Sequence, residues 1–222
     1  NAKSYLYNNI QILDKYNIDE ALYEKWKNQY IENNLKKHIV KQSIKEKDVL
    51  LINMLSKFGY IYTGLKVRRW NIFNKIKKIF YQKFLSINFD KIDLENKRYI
   101  FFPLQVMNDS QLVLNSNIGL IDGLLYCIKK AQYENLDLII KLHPAENNIL
   151  VLKRILELRK QYKFKIVKDN TFLVIKNASK VITINSTVAL EAMILNKEVE
   201  ILGRSYYKYF DKQRIKNYIM GY

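Results

Sequence analysis

KVITINSTVALEAMI, residues 180–194, decides the reading of the fold. Its first five residues are mostly β-branched and apolar, as a strand covered on both faces requires. Three small polar residues follow, and then apolar positions at helical spacing. A strand that passes through so short a turn into a helix is half of a βαβ unit, and such units call for a parallel sheet with helices packed on it.

The same alternation extends in both directions. Upstream, 98–102 (RYIFF) and 136–142 (LDLIIKL) read as strands separated by a helix over 118–133. A helix over 148–162, with Ile149, Leu152 and Leu156 in the i, i+3, i+7 relation, leads to a strand over 164–167 and a short helix over 171–177. Downstream, the helix over 188–195 leads to a strand over 199–202. The expected class is α/β, a doubly wound parallel sheet. No internal repeat and neither of the usual glycine-rich phosphate loops, GxGxxG or GxxxxGK[ST], is found.

Before about residue 97 the texture differs. Residues 1–60 read as helices, with Leu13, Tyr16, Ile18, Leu22 and Trp26 near helical spacing. The segment 66–84 (KVRRWNIFNKIKKIFYQKF) sets Ile72, Phe73, Ile76, Ile79, Phe80 and Phe84 three and four apart, with bases and no acid between them. It reads as a basic amphipathic helix, suited either to a core with a solvated basic face or to an anionic membrane surface. The expected division is a helical region, 1–97, and an α/β domain, 98–222.

Composition narrows the function classes. The 222 residues are 49% hydrophobic and 27% charged, ordinary globular values that disfavour a disordered chain. The lone Cys127 excludes an internal disulfide framework and reads as a buried small hydrophobe. With His38 and His143 it makes no zinc-ligand spacing, so no metal site is expected. The start NAKSYLYNN is not a secretory signal, and no apolar run approaches the ~20 residues of a membrane span. A cytoplasmic protein is expected, and the missing initiator Met suggests a piece of a longer one. The net charge of +17 favours anionic partners. No nucleic-acid recognition motif accompanies it, which leaves nucleotide phosphates and anionic lipid.

In a doubly wound sheet the ligand sits outside the carboxyl ends of the strands, so the residues directly after strands are the candidates. Asn185, Ser186 and Thr187 stand between strand and helix, either as an ordinary N-cap or as a phosphate site built on unpaired amides. Glu191 follows one turn later, either solvated or aimed at a ribose diol. Lys141 and His143 end the strongest strand ahead of Pro144; the histidine is either a surface residue or a donor to phosphate and an acid or base near neutral pH. Gln105 and Asp109 follow the first strand, the aspartate either capping a helix or serving as nucleophile or general base in glycosyl transfer. The loop 203–207 (GRSYY) has position alone in its favour.

Taken together, FFPLQVMNDSQ, KLHP and INSTVALEAMILNKEVEILGRSYY resemble, in order, three segments of the capsule polysaccharide biosynthesis family that includes bacterial Kdo transferases. The resemblance covers residues 98–210. It implies a two-domain GT-B-like glycosyltransferase, of which this chain carries the Rossmann-like, nucleotide-sugar-binding half. The implied donor is a CMP-activated acidic sugar, typically CMP-Kdo, used without a metal or other cofactor at the cytoplasmic face of the inner membrane. A glycolipid or oligosaccharide would be the acceptor, with capsule assembly proteins as further partners. By the same resemblance Lys141, His143, Ser186 and Thr187 hold the nucleotide phosphate, Glu191 the ribose, and Gln105 and Asp109 face the sugar, with Asn185 also in the donor-binding set and Asp109 and His143 as catalytic groups. The sequence departs from the family pattern at Ala189, where glycine is common, and at 196–198 (NKE), where Gly-Lys-Pro is usual. The alternatives are a transferase for CMP-sialic acid or CDP-glycerol, and a non-catalytic component of capsule assembly or export.

Overall fold

The computed structural model describes residues 5, 6, 8–36, 87–107, 116–146 and 148–222. The basic segment 66–84 and Asp109 lie outside the described residues. Apart from Ile87, the described residues belong to one compact unit, Asn1–His38 with Asn88–Tyr222.

The chain opens with a 3-10 turn at Ile10–Lys15 and a helix at Glu20–Lys36 (α1). The sheet and its helices then alternate: Tyr99–Pro103 (β1), Leu120–Glu134 (α2), Asp137–Lys141 (β2), Ile149–Tyr162 (α3), Lys165–Ile166 (β3), Thr171–Asn177 (α4), Lys180–Thr183 (β4), Val188–Ile194 (α5) and Glu198–Ile201 (β5). A 3-10 turn at Tyr206–Tyr209 and a helix at Lys212–Met220 (α6) follow. The expected doubly wound α/β sheet is what the structure contains. All five strands are parallel in the order β3-β2-β1-β4-β5, with Pro103 paired to Lys141 and Phe101 to Val181.

Why the strands read as unbroken apolar runs is plain from the two cores. Ile100, Phe102, Leu138, Ile140 and Ile182 face α2 and α3, where Leu124, Ile128 and Ile155 meet them. The alternate residues Tyr99, Phe101, Ile139 and Val181 face the other way, onto Val174 and Ile175 of α4 and Ala192 of α5. With both faces covered, every position in β1 and β4 is buried, the polar Lys180 and Thr183 of β4 included. Tyr99 is buried but its hydroxyl donates to the Val174 carbonyl at 2.7 Å. Gly123 lets α2 approach the switch between β1 and β4, since a Cβ there would lie 3.1 Å from Ile184 Cδ1 and 3.2 Å from Phe102 Cζ.

β3 is the edge of the sheet, and the segment before β1 covers it. The Asp90 amide donates to the Ile166 carbonyl at 2.7 Å, while the Ile166 amide donates to Asp90 Oδ2 at 2.8 Å. Arg159 donates to the same carboxylate oxygen at 2.6 Å and so holds this substitute strand in place. An edge occupied in this way offers no free ladder to another chain.

The amino-terminal elements share a third core with the last strand. Leu6 and Leu13 pack with Ala189, Ile194, Ile201, Tyr207, Phe210 and Ile215, and Trp26 and Tyr30 lie against them. Polar contacts fix the register: Asn217 Nδ2 donates to the Leu13 carbonyl at 2.8 Å, and Arg214 makes two bonds of 2.9 Å to Asp14. Tyr30 meets Phe172 edge-on, and Asn170 donates to the Asn34 carbonyl, so the end of α1 rests on the start of α4.

Candidate functional site

The chain winds from β1 through β2 to β3 and then returns to place β4 on the other side of β1. That reversal makes a topological switch point between β1 and β4, where the two following loops part and leave a crevice. One residue from each loop spans it. Gln105 Nε2 donates to Asn185 Oδ1 at 2.8 Å, and the Asn185 amide donates back to Gln105 Oε1 at 3.1 Å. Both groups of the Gln105 carboxamide are therefore engaged with Asn185, and the side chain is 8% exposed. On the far side, the Tyr207 hydroxyl donates to the Asn185 carbonyl at 2.6 Å. Burial pushes that phenol up to about 12, so it stays a donor across the physiological range. The role of Tyr207 was legible only as a tyrosine after the last strand.

Past Asn185 the chain turns into α5. The Ser186 hydroxyl accepts from the Val188 amide at 3.2 Å, a local turn that helps start the helix. Thr187, at the N-cap position, makes no side-chain cap and is exposed. Ala189, which replaces the family's glycine, is fully buried in the core shared with Leu6 and Leu13.

On the β2 side, Lys141 ends the strand and its ammonium donates to the Asp169 carbonyl at 2.6 Å and to Thr171 Oγ1 at 2.8 Å. Burial lowers its pKa, and the nearby carboxylates of Asp169 and Glu191 oppose that by favouring the charged form. Glu191 is half-buried on α5 and also raises the Tyr30 phenol, after burial, by its negative field. Lys141, Glu191 and Tyr30 therefore lie within electrostatic reach on the α4 and α5 face of the sheet. Sequence reasoning placed Lys141 and Glu191 at one edge but had no means of finding Asp169, Thr171 or Tyr30, whose parts in this cluster depend on tertiary packing alone.

His143 is exposed two residues beyond β2. Its Nδ1 accepts from the Ala145 amide at 3.1 Å, which sets the proton of the neutral ring on Nε2. Glu146, which the sequence reading passed over, is buried behind it and holds the loop. Its Oε1 accepts from the Asn148 amide at 2.7 Å and its Oε2 from the Met107 amide at 2.8 Å. The segments after β2 and β4 thus carry a lysine ammonium, an imidazole N–H and two hydroxyls, groups able to donate to an anion. Asp109 lies outside the described residues.

The family model described as capsule polysaccharide biosynthesis protein matches residues 9–210. Among curated relatives, the capsule polysaccharide modification protein LipB of Neisseria meningitidis serogroup A is 26% identical over 121 residues, which is 50% of this chain and 29% of that one. The capsule polysaccharide export protein KpsS of Escherichia coli is 27% identical over 143 residues, 60% of this chain and 36% of that one. The chain spans about a third of the length of these relatives. A solved structure of Thermosulfurimonas dismutans KpsC, beta Kdo 2,7 transferase, aligns with 68% of this chain and 53% of its own at 19% identity and a TM-score of 0.43.

Proposed function

Because the chain belongs to the capsule polysaccharide biosynthesis family, we propose that it is the donor-binding half of a glycosyltransferase that uses a CMP-activated acidic sugar, CMP-Kdo in the first instance. The observation that carries this reading is the switch-point crevice itself, bridged by Gln105 and Asn185 and flanked by the Lys141 and His143 loop on one side and Ser186 and Thr187 on the other.

The chemistry follows from those donors. Transfer of a CMP-linked sugar breaks the bond between the anomeric carbon and the phosphate oxygen, and negative charge grows on the departing monophosphate. A fixed lysine ammonium and an imidazole N–H beside that oxygen lower the barrier by stabilising the charge as it develops. Glu191 would hold the ribose hydroxyls. Gln105 and Asp109 would face the sugar, Asp109 acting as the catalytic carboxylate. The acceptor would be a glycolipid or oligosaccharide at the cytoplasmic face of the inner membrane, with the basic segment 66–84 against anionic lipid.

Calorimetric titration with CMP and CMP-Kdo tests the donor site. His143→Ala and Lys141→Ala are each expected to weaken CMP binding by roughly tenfold, the loss of one charge-assisted hydrogen bond. No binding by the folded chain, within the longer protein where there is one, would sink the proposal. A panel of CMP-sialic acid and CDP-glycerol separates the other donors. The names of the relatives, modification and export proteins, favour a second reading, a non-catalytic component of capsule assembly. That reading requires His143→Ala and Asp109→Ala to leave capsule formation intact in a complementation assay.

A further inference from the structure

We infer that Glu146 is a positioning residue that couples the two loops of the cleft and presents His143 as an Nε2–H donor. Glu146 is 7% exposed, and each carboxylate oxygen takes one backbone amide: Asn148 two residues ahead at 2.7 Å, and Met107 thirty-nine residues back at 2.8 Å. Its own amide donates to the His143 carbonyl at 3.0 Å, closing a four-residue turn with Pro144 in the second position, where proline is favoured. Within that turn the Ala145 amide meets His143 Nδ1 at 3.1 Å. One carboxylate therefore anchors the turn that selects the imidazole tautomer and ties it to the segment carrying Gln105.

The start of α3 does not need Glu146. Asn148 caps that helix with its own side chain, accepting from the Leu150 and Val151 amides. What the second oxygen accomplishes lies between loops: the Met107 amide belongs to the segment that leaves β1, and the Met107 sulfur also receives Asn148 Nδ2 at 3.4 Å. Two amide donors require two acceptors. A carboxylate supplies both, whereas glutamine would turn an NH2 toward one of the N–H groups. Aspartate, one methylene shorter, still reaches the amide two residues ahead in an Asx turn but falls short of Met107.

The effect on turnover rests on the donor-site reading; the effect on the loops and the ring does not. The chain has only two histidines, so two-bond proton–nitrogen correlation spectra of the 15N-labelled protein, assigned with His143→Ala, report the His143 tautomer directly. At a pH where the ring is neutral, the wild type is expected to carry its proton on Nε2. Glu146→Gln should yield a mixture of tautomers, and Glu146→Asp should keep the wild-type tautomer while the Met107 amide exchanges faster with solvent. With CMP-Kdo, Glu146→Gln should lower kcat by about tenfold to a hundredfold, as expected for a catalytic group shifted by a fraction of an ångström, with a smaller change in KM. A folded Glu146→Gln protein with the wild-type tautomer and wild-type Met107 exchange would overturn the inference. Failure of the wild type to bind CMP would remove the donor reading, and the spectra would still decide the part played by Glu146.

Discussion

The pair Gln105 and Asn185 shows how much a crevice between parallel strands depends on a single side-chain bridge. Asn185→Ala removes the acceptor for Gln105 Nε2 and leaves that mostly buried amide without its partner. The expected cost is about 1–3 kcal/mol, the penalty of an unsatisfied buried donor. Urea unfolding measures it, and the same variant should weaken CMP binding because the β4 loop keeps only its backbone bond to Gln105. Neither partner is marked in the sequence as facing the other, since eighty residues separate them. Position at two strand ends was legible; the reciprocal hydrogen bonds were not.

At the scale of elements, three non-glycine residues among the described ones sit in the left-handed region, and their types explain why two of them are comfortable. Asn135 and Asn196, at φ 52° and 54°, are of the residue type that tolerates this conformation best after glycine. Asn196 stands where the family pattern has glycine, so the departure noted in the sequence preserves the backbone it required. Lys163 ends α3 at φ 56° and has no such excuse. Lys163→Gly should therefore stabilise the protein by roughly 1 kcal/mol, the strain of a left-handed side chain, less some unfolded-state entropy. A thermal or urea melt that shows a loss would contradict this.

The inner strands and four intervening helices were legible because both faces of the sheet are covered there and such strands are largely apolar; β5, with Glu198 exposed and Glu200 half-buried, carries a weaker apolar signal. β3 is shorter than the expected strand, 165–166 against 164–167. α6 escaped notice. Its buried face includes Lys216 and Asn217 besides Ile215, and a polar residue buried through a distant partner leaves no periodic trace.

Across the whole molecule, the amino-terminal segment is held to α6 by Asn217, Arg214 and Lys216 acting on Leu13, Asp14 and Glu20. Asn217→Ala takes the closer of two donors from the Leu13 carbonyl, which keeps only the Tyr16 amide at 3.3 Å, at a cost of about 0.5–1.5 kcal/mol. Trp26, packed at this junction, offers a fluorescence signal for the loss. Acid should loosen the same junction. The hydrogen bond from Arg214 holds the Asp14 carboxyl below its ordinary value of 3.8, so the contribution is present above that value and disappears as pH falls through the lower folded one. Protection of the amides in residues 10–15, taken relative to the intrinsic exchange rate at each pH and followed downward from pH 6, is expected to fall below about pH 4. An unchanged profile would rule the ion pair out as a support.

The strand order has a consequence for synthesis on the ribosome. β1 pairs on both sides, but its second neighbour, β4, emerges about eighty residues later, and the partner of Leu13 emerges later still at Asn217. Contacts so distant along the chain form last, after the costs of closing long loops have been met. Leu13, Asp14 and Glu20 must therefore wait in the nascent chain without their polar partners until the segment 212–220 has left the exit tunnel.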